Sequence, residues 1–311
     1  MKLSVLISYI NLLQEPEFDP AYEAITDKLG AISRAINDHS LQFGSLSDDL
    51  NADLNNIKSA ILSFDTTLQL LKQKLQSEIQ QQEPEYYKES MRLFEQDMVF
   101  ETTDYILNRR LKVDFDTSEL LRNKIRNYGD WRLPGLIIRP GKENFIEYMV
   151  PLDPLYLVDT NIELLQPAIS GFTQEYQRRL RPYVVDEYAP TVFDQLPTNQ
   201  FGFIFAYYFF NFKPVEIIEK FLRELYQKLR PGGVIIFTYN ECKLSPGVGA
   251  VENNWMCYTP GNKIQSIIDS IGFETINNHV GTYDIAWFEI RKPGTITSIR
   301  GGQALAKIMP K

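Results

Sequence analysis

Between about residues 130 and 292, short apolar runs alternate with amphipathic stretches, and this alternation most constrains what the chain can fold into. Residues 136–139, 155–158, 183–185, 201–208 and 234–237 are apolar or aromatic apart from Arg139, which closes the first run, with little polar–apolar alternation within each. Such runs suit strands buried on both faces, as in a parallel sheet covered by helices. The intervening segments have helical spacing. Ile218, Leu222, Leu225 and Leu229 form one face behind Pro214, which suits a first helical turn because its missing N–H costs nothing there. Ile264, Ile267, Ile268 and Ile271 form another face, with Gly272 as its stop. The stretch "LRPGGVIIFTYN" (229–240) reads as a helix halted at Pro231 and Gly232, a sharp turn at Gly233, and immediate re-entry into the sheet. Residues 273–278 and 282–290, separated by Gly281, read as a closing hairpin, so the last strand is expected to be antiparallel. The expected fold class is therefore α/β: a doubly wound, mostly parallel sheet with an antiparallel closing strand.

Upstream the chain changes character. Leu54, Ile57, Ile61, Phe64, Leu68, Leu71 and Leu75 are spaced three and four apart, an a/d seam over three heptads. Tyr22, Ile25, Leu29, Ile32 and Ile36 repeat that spacing, and Pro84 is expected to end the second helix. The narrow stripe indicates a coiled coil or a helical hairpin at about 20–83, against the alternative of a surface helix with a wider apolar face. Pattern alone does not separate association with another chain, as a homo-oligomer or with a protein partner, from an intramolecular hairpin. Asp116, with Glu119 three residues on, is expected to cap a further short helix. The resulting division is 1–128 helical, 129–294 α/β, and 295–311 a tail without periodicity.

Composition narrows the function classes. A net charge of −8 argues against holding nucleic acid by bulk electrostatics. The two cysteines, Cys242 and Cys257, have neither metal-ligand nor redox spacing, and two make no disulfide framework. A reducing, cytoplasmic setting is the expectation. The start, "MKLSVLISYINLL", is read as a packed helix or strand rather than a signal peptide. No apolar run reaches the ~18 residues of a membrane span, and no metal site is expected.

In open parallel sheets ligands sit beyond the carboxyl ends of the strands. Those ends carry Arg139-Pro140-Gly141, Asp159, Asp186, Tyr207-Tyr208 and Tyr239-Asn240. An acid about twenty residues past the first turn can grip ribose hydroxyls, because a carboxylate accepts two hydrogen bonds at once. Gly141 and Asp159 have that separation, and Asp186 ends the next unit. Asp159 can equally do no more than precede a helix cap at Thr160, with Glu163 in capping-box spacing.

These segments together resemble class I S-adenosylmethionine-dependent methyltransferases. "LRPGGVIIFTYN" resembles that family's helix, Pro-Gly-Gly turn and fifth strand. "PLYLVD" resembles its second strand, "YVVDEY" its third, "FGFIFAYYFF" its fourth, and "IIDSIGFETI" its last helix and closing strands. The resemblance covers about half the chain and none of the N-terminal helices. It implies S-adenosylmethionine as cofactor, with Asp159 as ribose ligand, Asp186 at the adenine amino group, and Arg139, Gly141 and Tyr207 lining the cofactor. The family's first loop usually carries an acid and several glycines, whereas this chain has "IIRPGKENF". Arg139 can pair the cofactor carboxylate or fill its place.

No Asn-Pro-Pro-Tyr or Asp-Pro-Pro-Tyr follows the fourth strand, so base amino methylation by that motif is not supported. Tyr208, Asn240, Trp255 and Tyr258 are the candidate acceptor-side residues, and nothing identifies a catalytic group. His39 and His279 are not placed as bases, and Cys257 has no visible His partner. The leading reading is a methyltransferase with an oligomerising helical extension. The alternative is a non-catalytic methyltransferase-fold scaffold with a degenerate cofactor loop. A dehydrogenase is disfavoured by the missing Gly-x-Gly-x-x-Gly.

Overall fold

The computed structural model describes residues 2–13, 24–25, 27–32, 34, 45–96, 115–140, 145–281 and 286–296, with the backbone alone for 45–51 and 115–118. Gly141 and most of the tail lie outside the described residues. The chain forms two compact units, Met1–Pro84 and Glu85–Lys311.

In the first unit, α1 (Leu3–Leu12) buries Leu3, Leu6, Ile7 and Ile10. The helix α2 (Ser45–Glu95) carries the heptad seam. Its row Leu54, Ile61, Leu68 and Leu75 is buried or half-buried, while Ile57, Phe64 and Leu71 are exposed. Pro84 does not end this helix but lies inside it. An internal proline removes one N–H bond and crowds the carbonyl four residues back, at ~3 kcal/mol. In the second unit, packing holds the following turns: Ser90, Leu93 and Phe94 are buried, and the Tyr87 ring meets Tyr258 edge-on at 5.0 Å. No described helix is long and apolar enough to cross a membrane.

The second unit continues with α3 (Phe115–Asn127), β1 (Gly135–Ile138), α4 (Phe145–Tyr148), β2 (Leu155–Asp159), α5 (Ile162–Ser170), α6 (Gln174–Gln177) and β3 (Leu180–Val184). Then come β4 (Phe201–Ala206), a 3-10 turn (Phe210–Phe212), α7 (Val215–Lys228), β5 (Leu229–Tyr239), α8 (Ser245–Glu252), α9 (Gly261–Ile271), β6 (Glu274–Val280) and β7 (Ala286–Arg291). The sheet order is β3-β2-β1-β4-β5-β7-β6. β1 to β5 are parallel, and β7 runs antiparallel to both β5 and β6.

The continuous apolar runs follow from burial on both sides. Ile235, Phe237 and Tyr239 of β5 join the cluster under α7 and α9, while Val234 and Ile236 join the opposite cluster with Leu121, Ile125 and Leu165. On α7, Ile218, Phe221, Leu222 and Leu225 are each 0% exposed, and full burial contributes ~1.5–3 kcal/mol per side chain.

Several local expectations shift. α7 ends at Lys228, and Leu229 to Gly233 already belong to β5. The turn residue is Gly232, at φ +79°, paired by its N–H to Lys292 O at 2.8 Å. A Cβ there would lie 2.4 Å from Ile296 N, so only glycine fits without displacement. The cap of α5 is Asn161, not Thr160: Asn161 Oδ1 accepts from Glu163 N at 2.9 Å, while Thr160 N donates to Asp159. β3 begins at Leu180, ahead of the expected 183–185, because its register is set by pairing to β2. Gly272, at φ +95°, stops α9 as expected.

Candidate functional site

Strand order decides where a ligand can sit. The chain builds outward from β1 through β2 to β3, then returns to lay β4 on the other side of β1. The carboxyl ends of β1 and β4 therefore flank the switch point, where doubly wound sheets form their crevice.

Arg139 follows β1 and takes φ +57°, and Tyr208 follows β4 at φ +47°. Both occupy the left-handed region that favours glycine. Arg139 thus keeps a backbone suited to glycine while carrying a large cation. The Arg139 side chain is 2% exposed, with Nη1 donating to Tyr208 O at 3.3 Å and Nε 4.0 Å from Asp159 Oδ1. Its guanidinium lies 5.0 Å from the centre of the Phe209 ring. Asp159 ends β2, is fully buried, and accepts from Thr160 N at 2.7 Å.

A second buried pair adjoins the first. Lys213 Nζ lies 2.5 Å from Glu187 Oε2, with side chains 1% and 9% exposed. The Lys213 ammonium sits 5.2 Å from both the Phe94 and Phe209 rings. Phe209 is therefore approached by two buried cations, one beside Asp159 at the end of β2 and one beside Glu187, which follows β3. Sequence reading missed Glu187, Lys213 and Phe209. The available signal was a lone lysine in the aromatic run "YYFFNFKP" and a second acid in "VVDEY".

The remaining expected residues divide. Asp186 is exposed, and its Oδ1 accepts from Tyr188 N at 2.9 Å. Tyr207 is buried, its ring 4.7 Å from those of Phe145 and Tyr208. Tyr208 N donates to Thr238 Oγ1 at 2.7 Å, and Thr238 Oγ1 donates to Asn211 Oδ1 at 2.9 Å. Asn240 is fully buried, with Nδ2 donating to Gly247 O at 3.0 Å and Cys257 O at 3.1 Å. Cys257 N in turn donates to Asn211 O at 3.0 Å. Hydrogen bonds thus join the ends of β1, β4 and β5 in one connected set. Tyr258 is buried against Tyr86 and Tyr87, its N–H held by Ser90 Oγ at 2.9 Å, whereas Trp255 is 41% exposed.

Neighbouring groups serve the frame. Glu241 is buried and accepts from Gly261 N at 3.1 Å, which places a carboxylate at the start of α9. The Tyr239 hydroxyl reaches Glu241 Oε2 at 2.9 Å, and burial first, then that carboxylate, raise its pKa far above the ordinary tyrosine value. It stays protonated and is no base. Among the described residues no cluster of His, Cys, Asp and Glu could hold a metal ion.

No protein-family model matches the chain, and no curated protein matches it in sequence. Similar solved structures include an S-adenosylmethionine-dependent methyltransferase from Clostridium acetobutylicum, 14% identical with a TM-score of 0.47, covering 61% of this chain and 96% of that one. Another is the N-methyltransferase NodS from Bradyrhizobium japonicum in complex with S-adenosyl-L-homocysteine, 14% identical with a TM-score of 0.45, covering 67% and 98%. A third, from Mesorhizobium loti, is also an S-adenosylmethionine-dependent methyltransferase, 11% identical with a TM-score of 0.44, covering 55% and 96%. With β7 inserted antiparallel between β5 and β6, the second unit has the mostly parallel, doubly wound sheet with an antiparallel closing strand that the sequence led us to expect.

Proposed function

We propose that the protein is an S-adenosylmethionine-dependent methyltransferase. The observation that carries this reading is Asp159, fully buried at the end of β2 beside the switch point, with a glycine-like backbone at Arg139 next to it. The donor set suits the cofactor in kind. Asp159 can accept both ribose hydroxyls, Asp186 stands beyond β3 for an amino group, and Arg139 can pair a carboxylate. Tyr207 adds an aromatic wall. Bound there, the cofactor would supply a methyl group on a sulfonium, ready for in-line attack by a nucleophile. The chain's own part is then to bind, orient and exclude water. Tyr208, Asn240, Trp255 and Tyr258 are the proposed acceptor-side residues.

Calorimetric titration with S-adenosylmethionine and S-adenosylhomocysteine tests the reading. Asp159→Ala is expected to weaken S-adenosylhomocysteine binding by ~1–3 kcal/mol, the range for charge-assisted hydrogen bonds. Equal binding by wild type and variant would remove the ribose assignment. A second reading, a non-catalytic scaffold, is favoured by one observation: the Arg139 guanidinium already stands beside Asp159. A wild type that binds neither compound would carry that reading instead.

A further inference from the structure

The helix α2 carries two apolar rows, and only one of them is covered. Leu54, Ile61, Leu68 and Leu75 are buried or half-buried. The second row, Ile57, Ala60, Phe64, Thr67 and Leu71, alternates steps of three and four on a neighbouring face and is exposed throughout. That spacing keeps a stripe on one side of a long helix, where it suits a second helix crossing at a shallow angle. The one hydroxyl in the stripe is already used, since Thr67 Oγ1 donates to Ser63 O at 2.8 Å within the helix. A contiguous exposed apolar stripe of this kind marks an interaction surface.

The charges at the two ends of the stripe indicate what covers it. Asp53 precedes Ile57 by four residues and Lys74 follows Leu71 by three, both exposed and both in step with the row. Phe64 lies midway between Ile57 and Leu71, with the acid and the base at nearly equal distances on either side. A stripe arranged in this way is self-complementary about a twofold axis at Phe64. Run antiparallel, Ile57 of one copy meets Leu71 of the other, and Asp53 meets Lys74. Run parallel, Asp53 faces Asp53 and Lys74 faces Lys74, and like charges across a seam oppose association. We propose that the exposed row of α2 docks antiparallel on the same row of a second copy, in a seam centred on Phe64 and bordered by the half-buried Ile61 and Leu68. The contact requires nothing of the methyltransferase reading and stands or falls apart from it.

Light scattering on the full chain reads the mass, with circular dichroism confirming the fold of each variant. Wild type is expected to be a dimer. Phe64→Asp, at an exposed position, should keep its helix content and scatter as a monomer, because two carboxylates would meet at the twofold axis. Asp53→Lys should weaken the dimer by about tenfold, since both end pairs turn from attractive to repulsive, and adding Lys74→Asp to the same chain should restore it. In a parallel pair Asp53→Lys would only exchange one like-charge contact for another. A short bismaleimide reads the orientation directly. A mixture of Asp53→Cys and Lys74→Cys copies should give a covalent dimer, and neither variant alone should do so. Cys242 and Cys257 are buried, and wild type with the same reagent is the control. A monomeric wild type, an unchanged dimer in Phe64→Asp, or cross-linking by either cysteine variant alone would overturn the proposal.

Discussion

Replacing Glu187 by glutamine removes the carboxylate paired with a buried ammonium, and the structure sets the size of the effect. Lys213 Nζ lies 2.5 Å from the carboxylate, with side chains 1% and 9% exposed. At that separation, with an effective dielectric of about 20, the attraction is ~7 kcal/mol. Dehydrating the two ions costs several kcal/mol each, so the pair as a whole comes close to break-even. A single substitution does not. Glutamine preserves the shape but leaves the ammonium in a dry site, where the Phe94 and Phe209 rings at 5.2 Å offset part of the loss. The expected cost of Glu187→Gln is ~3–5 kcal/mol. For a domain of this size 1 kcal/mol shifts Tm by about 2–4 °C, so the melting point should fall by roughly 6–20 °C. Lys213→Met should cost a similar amount by stranding the carboxylate. The double variant should recover most of the loss, because no lone charge remains. Thermal and urea unfolding followed by circular dichroism measure all three, with coincident transitions as the check on two-state behaviour. If both single variants lie within about 1 kcal/mol of wild type, or the double variant loses the sum of the two, the reasoning fails.

Gly232→Ala should destabilise by at least ~1–2 kcal/mol from the backbone alone, since φ is +79° and the new Cβ meets Ile296 N. Gly249→Ala in α8, with open space around its Cβ, should instead stabilise by ~0.5–1 kcal/mol, and urea midpoints that reverse this order refute the assignment. Burial lowers the pKa of His279, stacked on Trp287 at 3.8 Å, below its ordinary 6.5. The unfolded chain therefore binds more protons than the folded one as pH falls through that value, and stability is lost there. His279→Gln should flatten the decline in stability between about pH 7 and pH 5, and unchanged slopes would remove the effect. In α2 the exposed Ile57, Phe64 and Leu71 recur at heptad spacing, the support for our proposal that this helix pairs with a second copy of itself. Light scattering on wild type and on Ile61→Asp with Leu68→Asp tests it: a monomeric wild type, or an oligomer that survives both charges, places the contact elsewhere.

The sheet and its flanking helices were legible because their cause is local. A strand buried on both faces must be apolar at consecutive positions, as 201–206 and 234–237 are, and a helix packed on one face must repeat every three to four, as in α7 and α9. Gly272 was readable for the same reason, since a left-handed turn excludes most side chains, whereas the turn expected at Gly233 falls one residue earlier, at Gly232. Asp159 could be placed because an acid at the end of an apolar run marks a strand end. Order and register were not written locally. That β4 lies beside β1, that β3 starts at Leu180, and that α2 continues through Pro84 each depend on contacts remote in sequence. So does the charge arrangement of the site. Whether Arg139 turns outward or crosses to Tyr208 and Asp159, and whether Lys213 is solvated or buried against Glu187, depends on neighbours from three other strands. Composition and periodicity measure how apolar a residue's own segment is. The dehydration of a charge, and the partner that offsets it, exist only once distant segments have closed around it.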